Sequence, residues 1–215
     1  MGEDFFMYIV FEGVVGVGKT TQSKMLVERL QQLFPDKKVI WTREPGGSEI
    51  ADTIRNVVQG QKFNEEMDPL CEMYLYAASR AHTLRTVVKP VLDAGGIVVA
   101  DRSVFTSVSW QGYGRALGAE TVLRVNAEAV QGMLPDVVLY LAGDLDETLA
   151  RTFDAQGDKF EAFPRAFFDA CAKGYEALAH DDRFAALWET VASEGTKEEV
   201  SERIMTALKK RNLIP

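Results

Sequence analysis

Short apolar runs alternate along this chain with longer segments whose apolar residues recur every three to four positions. Phe6-Met7-Tyr8-Ile9-Val10-Phe11 suits a strand buried on both faces, and Thr21 to Leu33 follows with Met25, Leu26, Leu30 and Leu33 at helical spacing. After the polar turn Pro35-Asp36-Lys37-Lys38, Val39-Ile40-Trp41-Thr42 reads as a second strand. Glu49 to Val58 carries Ile50, Ile54, Val57 and Val58 on one helical face, with Ser48 placed to cap it. Gly60 to Met67 is polar and reads as a loop. Asp68-Pro69 then opens a long helix through Leu70, Met73, Tyr74, Ala77, Ala81, Leu84, Val87 and Val88, closed by Gly95-Gly96.

The second half repeats the alternation. Ile97-Val98-Val99-Ala100 predicts a third strand, residues 119–132 an amphipathic helix, and Val137-Val138-Leu139-Tyr140-Leu141 a fourth strand. A short helix from Asp146 to Phe153, a helix from Pro164 to Ala179, a last strand around Phe184 to Val191 and a helix from Lys197 to Lys210 complete the pattern. Strand following helix in this order implies right-handed crossovers and a five-stranded parallel sheet with helices on both faces, an α/β fold. Residues from about 152 to 163, polar and containing Gly157, suit a short lid.

Composition narrows the picture. With 215 residues, 47% hydrophobic and 26% charged, the chain has material for one domain, residues 1–215, with a sizeable core. A formal charge of −8 argues against broad binding to nucleic acid or an anionic membrane, so an anionic substrate must be met by locally placed Arg and Lys. No apolar run approaches ~18 residues, and no basic and apolar signal segment opens the sequence. Cys71 and Cys171 stand far apart with no C-x-x-C pattern. The expectation is a soluble, cytoplasmic protein in a reducing setting.

Candidate chemistry begins between the first strand and the first helix. Gly13-Val14-Val15-Gly16-Val17-Gly18-Lys19-Thr20-Thr21 fits G-x-x-x-x-G-K-[ST] in full. Its glycines allow a tight loop whose N–H groups point at phosphate oxygens, Lys19 can reach the terminal phosphates, and the Thr20 hydroxyl can ligate Mg²⁺. The α/β fold is thereby of the P-loop NTPase type. In such a sheet the ligand crevice lies beyond the carboxyl ends of the strands, which puts Arg43 and Glu44 on the rim of the loop; a plain turn with solvated charges is the alternative. Asp101-Arg102 follow the third strand directly, a carboxylate for the Mg²⁺ shell and a bidentate fork for an incoming phosphate. Tyr76 and Arg80 sit four apart, a spacing that suits a ring and a guanidinium meeting one flat ligand, or a core-edge tyrosine beside a snorkelling arginine. Arg55 lies off the apolar face of its helix, and Ser103 to Arg115 supplies polar and aromatic groups for a nucleoside pocket.

FEG before the phosphate loop, GKTTQ closing it, TREPGGSEIADTIR, YAASR, DRSVFTSVSWQGYGR, LPDVVLYL and GYEALA occur in this order over nearly the whole chain. Together they resemble the thymidylate kinases of the nucleoside-monophosphate kinase group. The resemblance implies transfer of the ATP γ-phosphoryl group to dTMP, giving dTDP and ADP with Mg²⁺, by a homodimer; the charge already argues for no nucleic acid and no membrane as partners. It assigns residues 13–21 to the ATP phosphates with Lys19 bridging donor and transferred groups. Arg102 falls to the dTMP phosphate, Asp101 to organising Mg²⁺ and water, and Arg43, Glu44 and Arg55 to the acceptor. Tyr76 takes the ring position against the base and Arg80 the base edge. Ser107 and Gln111 match positions at thymine or sugar, and Trp110 stands where a ring excludes a ribose 2′-OH.

Two positions depart from the family pattern. Val15 occupies the loop position where family members carry Asp or Glu to accept a hydrogen bond from the sugar 3′-OH. Gly16 fills the loop position that carries the catalytic Arg in some members, and Thr152 to Phe160 offers no Arg, which leaves Arg151 and Lys159 as candidates for the lid cation. A related deoxynucleoside-monophosphate kinase of other base preference, or a P-loop nucleotide-binding protein with weak or no kinase activity, is the alternative.

Overall fold

The structure, a computed structural model, describes residues 6–60, 64–153 and 163–215, with residues 151–153 described in their backbone only. Five strands, β1 (Met7–Glu12), β2 (Val39–Arg43), β3 (Ile97–Asp101), β4 (Val137–Ala142) and β5 (Trp188–Ala192), pair in parallel in the order β2-β3-β1-β4-β5. Every residue of the inner strands β1 and β3 is buried, which is why both read as unbroken apolar runs; the edge strands β2 and β5 are partly exposed.

Helices α1 (Lys19–Leu33), α2 (Glu49–Gln59), α3 (Pro69–Thr83), α4 (Lys89–Asp93), α5 (Val104–Ser107), α6 (Ala119–Val130), α7 (Leu145–Phe153), α8 (Arg165–Ala179) and α9 (Lys197–Lys210) surround the sheet. Their starts follow side-chain chemistry. Ser48 Oγ accepts from Ala51 N ahead of α2, and Asp68 accepts from Leu70 and Cys71 N ahead of α3, whose first residue is Pro69. Thr196 and Glu199 form a reciprocal capping box on α9.

Several boundaries differ from the sequence pattern for local reasons. Helix α1 starts at Lys19, because the loop winds straight into it and Gln22 N already donates to Gly18 O at 3.0 Å. The long helix is interrupted by a π turn, Leu84–Val88, between α3 and α4; Pro90 has no N–H to continue an α-helical ladder, and Lys89 N–H reaches back to Leu84 O instead. Residues 104–114 are helical, α5 running into a π turn at Val108–Gly114. Strand β5 begins at Trp188 rather than Phe184, since Phe184 and Ala185 N both donate to Asp181 O and coil the approach. The expected lid, apart from the helical end of α7 and Phe163, lies outside the described residues.

Sheet order sets the place of the site. The chain leaves β1 for β2 on one side and, after β3, crosses to β4 on the other, so the crevice opens where β1 and β3 end. There Glu44 N donates to Asp101 O and Arg102 N to Phe11 O, each at 2.9 Å, stitching the three carboxyl ends side by side.

Candidate active site

A cleft of about 400 Å³ sits over those strand ends. One wall is the phosphate loop and the start of α1: Val15, Gly16, Gly18, Lys19, Thr20 and Thr21. Val14 and Val17 turn their side chains into the core, so only their backbone is available to the loop's concave side. Gly13 has φ +140°, and a Cβ there would stand 2.7 Å from Leu141 O. Gly13→Ala should therefore displace the loop from β4, lowering stability by about 1–3 kcal/mol and weakening ATP binding about tenfold or more; urea unfolding and an ATP titration measure the two effects.

Lys19 folds its ammonium back over the loop, Nζ donating to Gly13 O at 3.0 Å and to Val14 O at 2.6 Å. Burial, and after it the charge of Arg102, lowers its pKa from 10.5 to about 7. A phosphate beside it supplies the negative charge that favours the ammonium again. Thr20 Oγ1 donates to Asp101 Oδ2, and the buried Asp101 Oδ1 has no hydrogen-bond partner among the described residues. A hydroxyl and a carboxylate with an unmet oxygen fit Mg²⁺, which keeps one or two protein oxygens and takes the rest of its shell from phosphate and water. Among the described residues no group of three or more His, Cys, Asp or Glu offers an all-protein cage.

The opposite wall is cationic and aromatic. Arg43 pairs with Asp52 at 3.1 Å, Arg55 Nη1 donates to Pro45 O at 3.1 Å, and both line the cleft with Glu44, Tyr76 and Trp110. Arg102 has φ +77°, a left-handed backbone that a side chain adopts only where the surroundings enforce it; here it turns the guanidinium off the end of β3 to within 5.1 Å of the Trp110 ring. Trp110 itself is braced edge-on by Phe167 and Phe168 of α8.

Arg80, Ser107 and Gln111 are buried and do not line the cleft. Arg80 lies directly behind Glu44, with Nε to Glu44 Oε2 at 2.6 Å, Nη1 to Asn126 Oδ1, and Nη2 to Ser103 O at 3.0 Å and Ser107 Oγ at 3.1 Å. Gln111 donates to Glu72 Oε1 at 2.9 Å, and Arg115 pairs with the same carboxylate at 2.8 Å. The side chains of Arg151 and Lys159 lie outside what the structure describes.

A family model described as Thymidylate kinase matches residues 11–204. The chain belongs to the thymidylate kinase family. The thymidylate kinase of Prochlorococcus marinus (strain NATL2A) is 32% identical over 206 residues, spanning 94% of this chain and 96% of that protein. That of Pelotomaculum thermopropionicum is 39% identical over 175 residues, 80% of this chain and 79% of its own length. The crystal structure of the thymidylate kinase from Ehrlichia chaffeensis shares the fold, with a TM-score of 0.76 at 24% identity over 94% of this chain and 98% of the other.

Within this thymidylate kinase fold the cleft contains residues that motif reading passed over. Gln59 lines it one helical turn beyond Arg55, its Nε2 donating to Tyr76 OH at 3.1 Å. Trp41 lines it from β2, its indole N–H donating to Ser23 Oγ at 2.9 Å. Thr106 lines it four residues after Arg102. The i, i+4 spacing of Gln59 from Arg55 within α2 was a signal available in the sequence, whereas Arg102 precedes the helix that carries Thr106 and gave no such signal.

Proposed function

We propose that this protein transfers the γ-phosphoryl group of ATP to dTMP, giving dTDP and ADP. The carrying observation is one continuous cleft with the phosphate loop and Lys19 on one side and Arg43, Arg55, Tyr76, Arg102 and Trp110 on the other. The loop N–H groups and Lys19 hold the ATP phosphates, Arg102 holds the dTMP phosphate, and the Tyr76 ring lies against the base with Trp110 beside the sugar. Thr20 and Asp101 would hold Mg²⁺, which when bound neutralises charge on the donor phosphates. The dTMP phosphate is already a competent nucleophile, so the side chains have to position and stabilise charge rather than remove a proton. Arg80 serves the base end by fixing Glu44, and Ser107 and Gln111 support it from behind the wall. Arg151 or Lys159 supplies the lid cation.

A coupled assay of ADP release with ATP and a panel of dTMP, dUMP, dGMP, dCMP and UMP tests this reading. Turnover is expected with dTMP foremost; a purine preference or no acceptor-dependent turnover overturns it. Val15 gives the cleft an apolar group on the loop wall, so Val15→Asp should lower KM for dTMP by about tenfold, the scale of one charge-assisted hydrogen bond to a sugar hydroxyl.

The protein is further read as a cytoplasmic homodimer. Leu70, Tyr74 and Ala78 expose a stripe at four-residue spacing along α3, and Ile50 of α2 is exposed as well. No helix among the described residues is long and apolar enough to cross a membrane. Light scattering of the purified protein should give twice the chain mass, and Tyr74→Glu should halve it; a monomeric wild type removes the dimer.

A further inference from the structure

Glu12 closes β1 immediately before the phosphate loop and is wholly buried, and its side chain is hydrogen-bonded by residues assigned to neither ATP nor Mg²⁺. Three donors converge on it: Ser103 Oγ at 2.7 Å and Thr106 N at 3.2 Å on Oε1, and Thr106 Oγ1 at 2.5 Å on Oε2. Such a set asks for a partner that only accepts, the ionised carboxylate. Burial pushes its pKa up, while the bonds from Thr106 and Ser103 and the charges of Arg102 and Lys19 pull it back.

Thr106 carries the effect of that carboxylate to the cleft. A hydroxyl has one proton and two acceptor lone pairs. With the proton committed to Glu12, the lone pairs face Arg102 Nη1 at 3.2 Å and Tyr175 OH at 3.1 Å. Arg102 Nη1 also reaches Tyr175 OH at 3.4 Å and Gly13 O at 3.5 Å. Every hydrogen bond of Arg102's side chain to described residues uses Nη1, which leaves Nε and Nη2 for a ligand in the cleft.

We propose that Glu12 is a positioning residue for Arg102: acting through Thr106, it orients one hydroxyl proton away from the guanidinium, so that Nη1 is anchored by acceptors alone and Nε and Nη2 face the acceptor phosphate. The inference rests on the assignment of Arg102 to the dTMP phosphate. Gln at position 12 keeps the size of the side chain but places an NH₂ where an acceptor oxygen stood. That group occupies a Thr106 lone pair and turns the threonine proton toward Arg102 and Tyr175.

The test is steady-state kinetics of Glu12→Gln, Thr106→Val, Thr106→Ser and the double variant E12Q/T106V, with melting temperatures alongside. KM for dTMP should rise about tenfold in E12Q and in T106V, with KM for ATP unchanged, while T106S stays close to the wild type. The double variant should be no worse than T106V, since both losses run through one hydroxyl. Wild-type dTMP kinetics in E12Q or T106V, additive losses, or a joint rise of both KM values with a fall in melting temperature overturns the positioning role. Unchanged dTMP kinetics in Arg102→Ala instead overturns the assignment beneath it, which separates the two failures.

Discussion

Lys19→Met should lower kcat by about 10²–10³-fold while leaving the protein at least as stable as the wild type. The activity loss follows from position: Lys19 is the cation on the loop wall of the cleft, and phosphoryl transfer depends on fixed charges around the moving group. The stability result follows from burial, because the ammonium rests on two carbonyl oxygens and no carboxylate among the described residues reaches it within hydrogen-bond range. Its pKa is lowered to about 7, so the charged form is disfavoured in the folded chain. Below about 7 both folded and unfolded chains carry the proton, and the cost is fully present. Between about 7 and 10.5 the unfolded chain binds a proton that the folded chain does not, so wild-type stability rises with pH across that window relative to K19M. Urea midpoints of both proteins at several pH values, read beside kcat, check this. A variant that is inactive and also less stable at every pH would show Lys19 to be a packing residue first.

The phosphate loop could be read without any structure because its chemistry is local: nine consecutive residues carry the glycines, the lysine and the hydroxyl, and a buried strand and a helix flank them. The parallel sheet was equally legible, since strands covered on both faces leave unbroken apolar runs. Position behind the wall was not. Tyr76 and Arg80 share a helical face, but one turn of rise separates them, and the structure sets Tyr76 at the cleft and Arg80 behind Glu44. Ser107 and Gln111 are removed from the lining by the helical course of residues 104–114, which sends them toward Arg80 and Glu72. The least legible feature was the link from Glu12 to Arg102. Its members Glu12, Thr106 and Tyr175 come from β1, α5 and α8, and hydrogen bonds between residues 69 and 94 positions apart impose no period on the sequence.

The same reasoning makes Arg80→Met a stronger test than its place near the base would suggest. Arg80 and Glu44 form an ion pair at 2.6 Å with side chains only 2% and 4% exposed. Removing one partner of such a pair costs about 3–5 kcal/mol, because the remaining charge stays buried. Burial already holds the Glu44 pKa above its ordinary 4.5, against the pull of Arg80. Without the guanidinium the carboxyl should take up a proton, and the penalty should shrink as pH falls. Glu44→Gln in the Arg80→Met background should recover part of the lost stability, since it removes the orphaned charge. Kinetics distinguish support of the wall from direct contact with the base. If Arg80 acts by fixing Glu44, then Arg80→Met and Glu44→Gln raise KM for dTMP by similar factors and the double variant is no worse than either. If Arg80 reaches the base itself, its loss raises KM well beyond that of Glu44→Gln and the double variant keeps the larger effect.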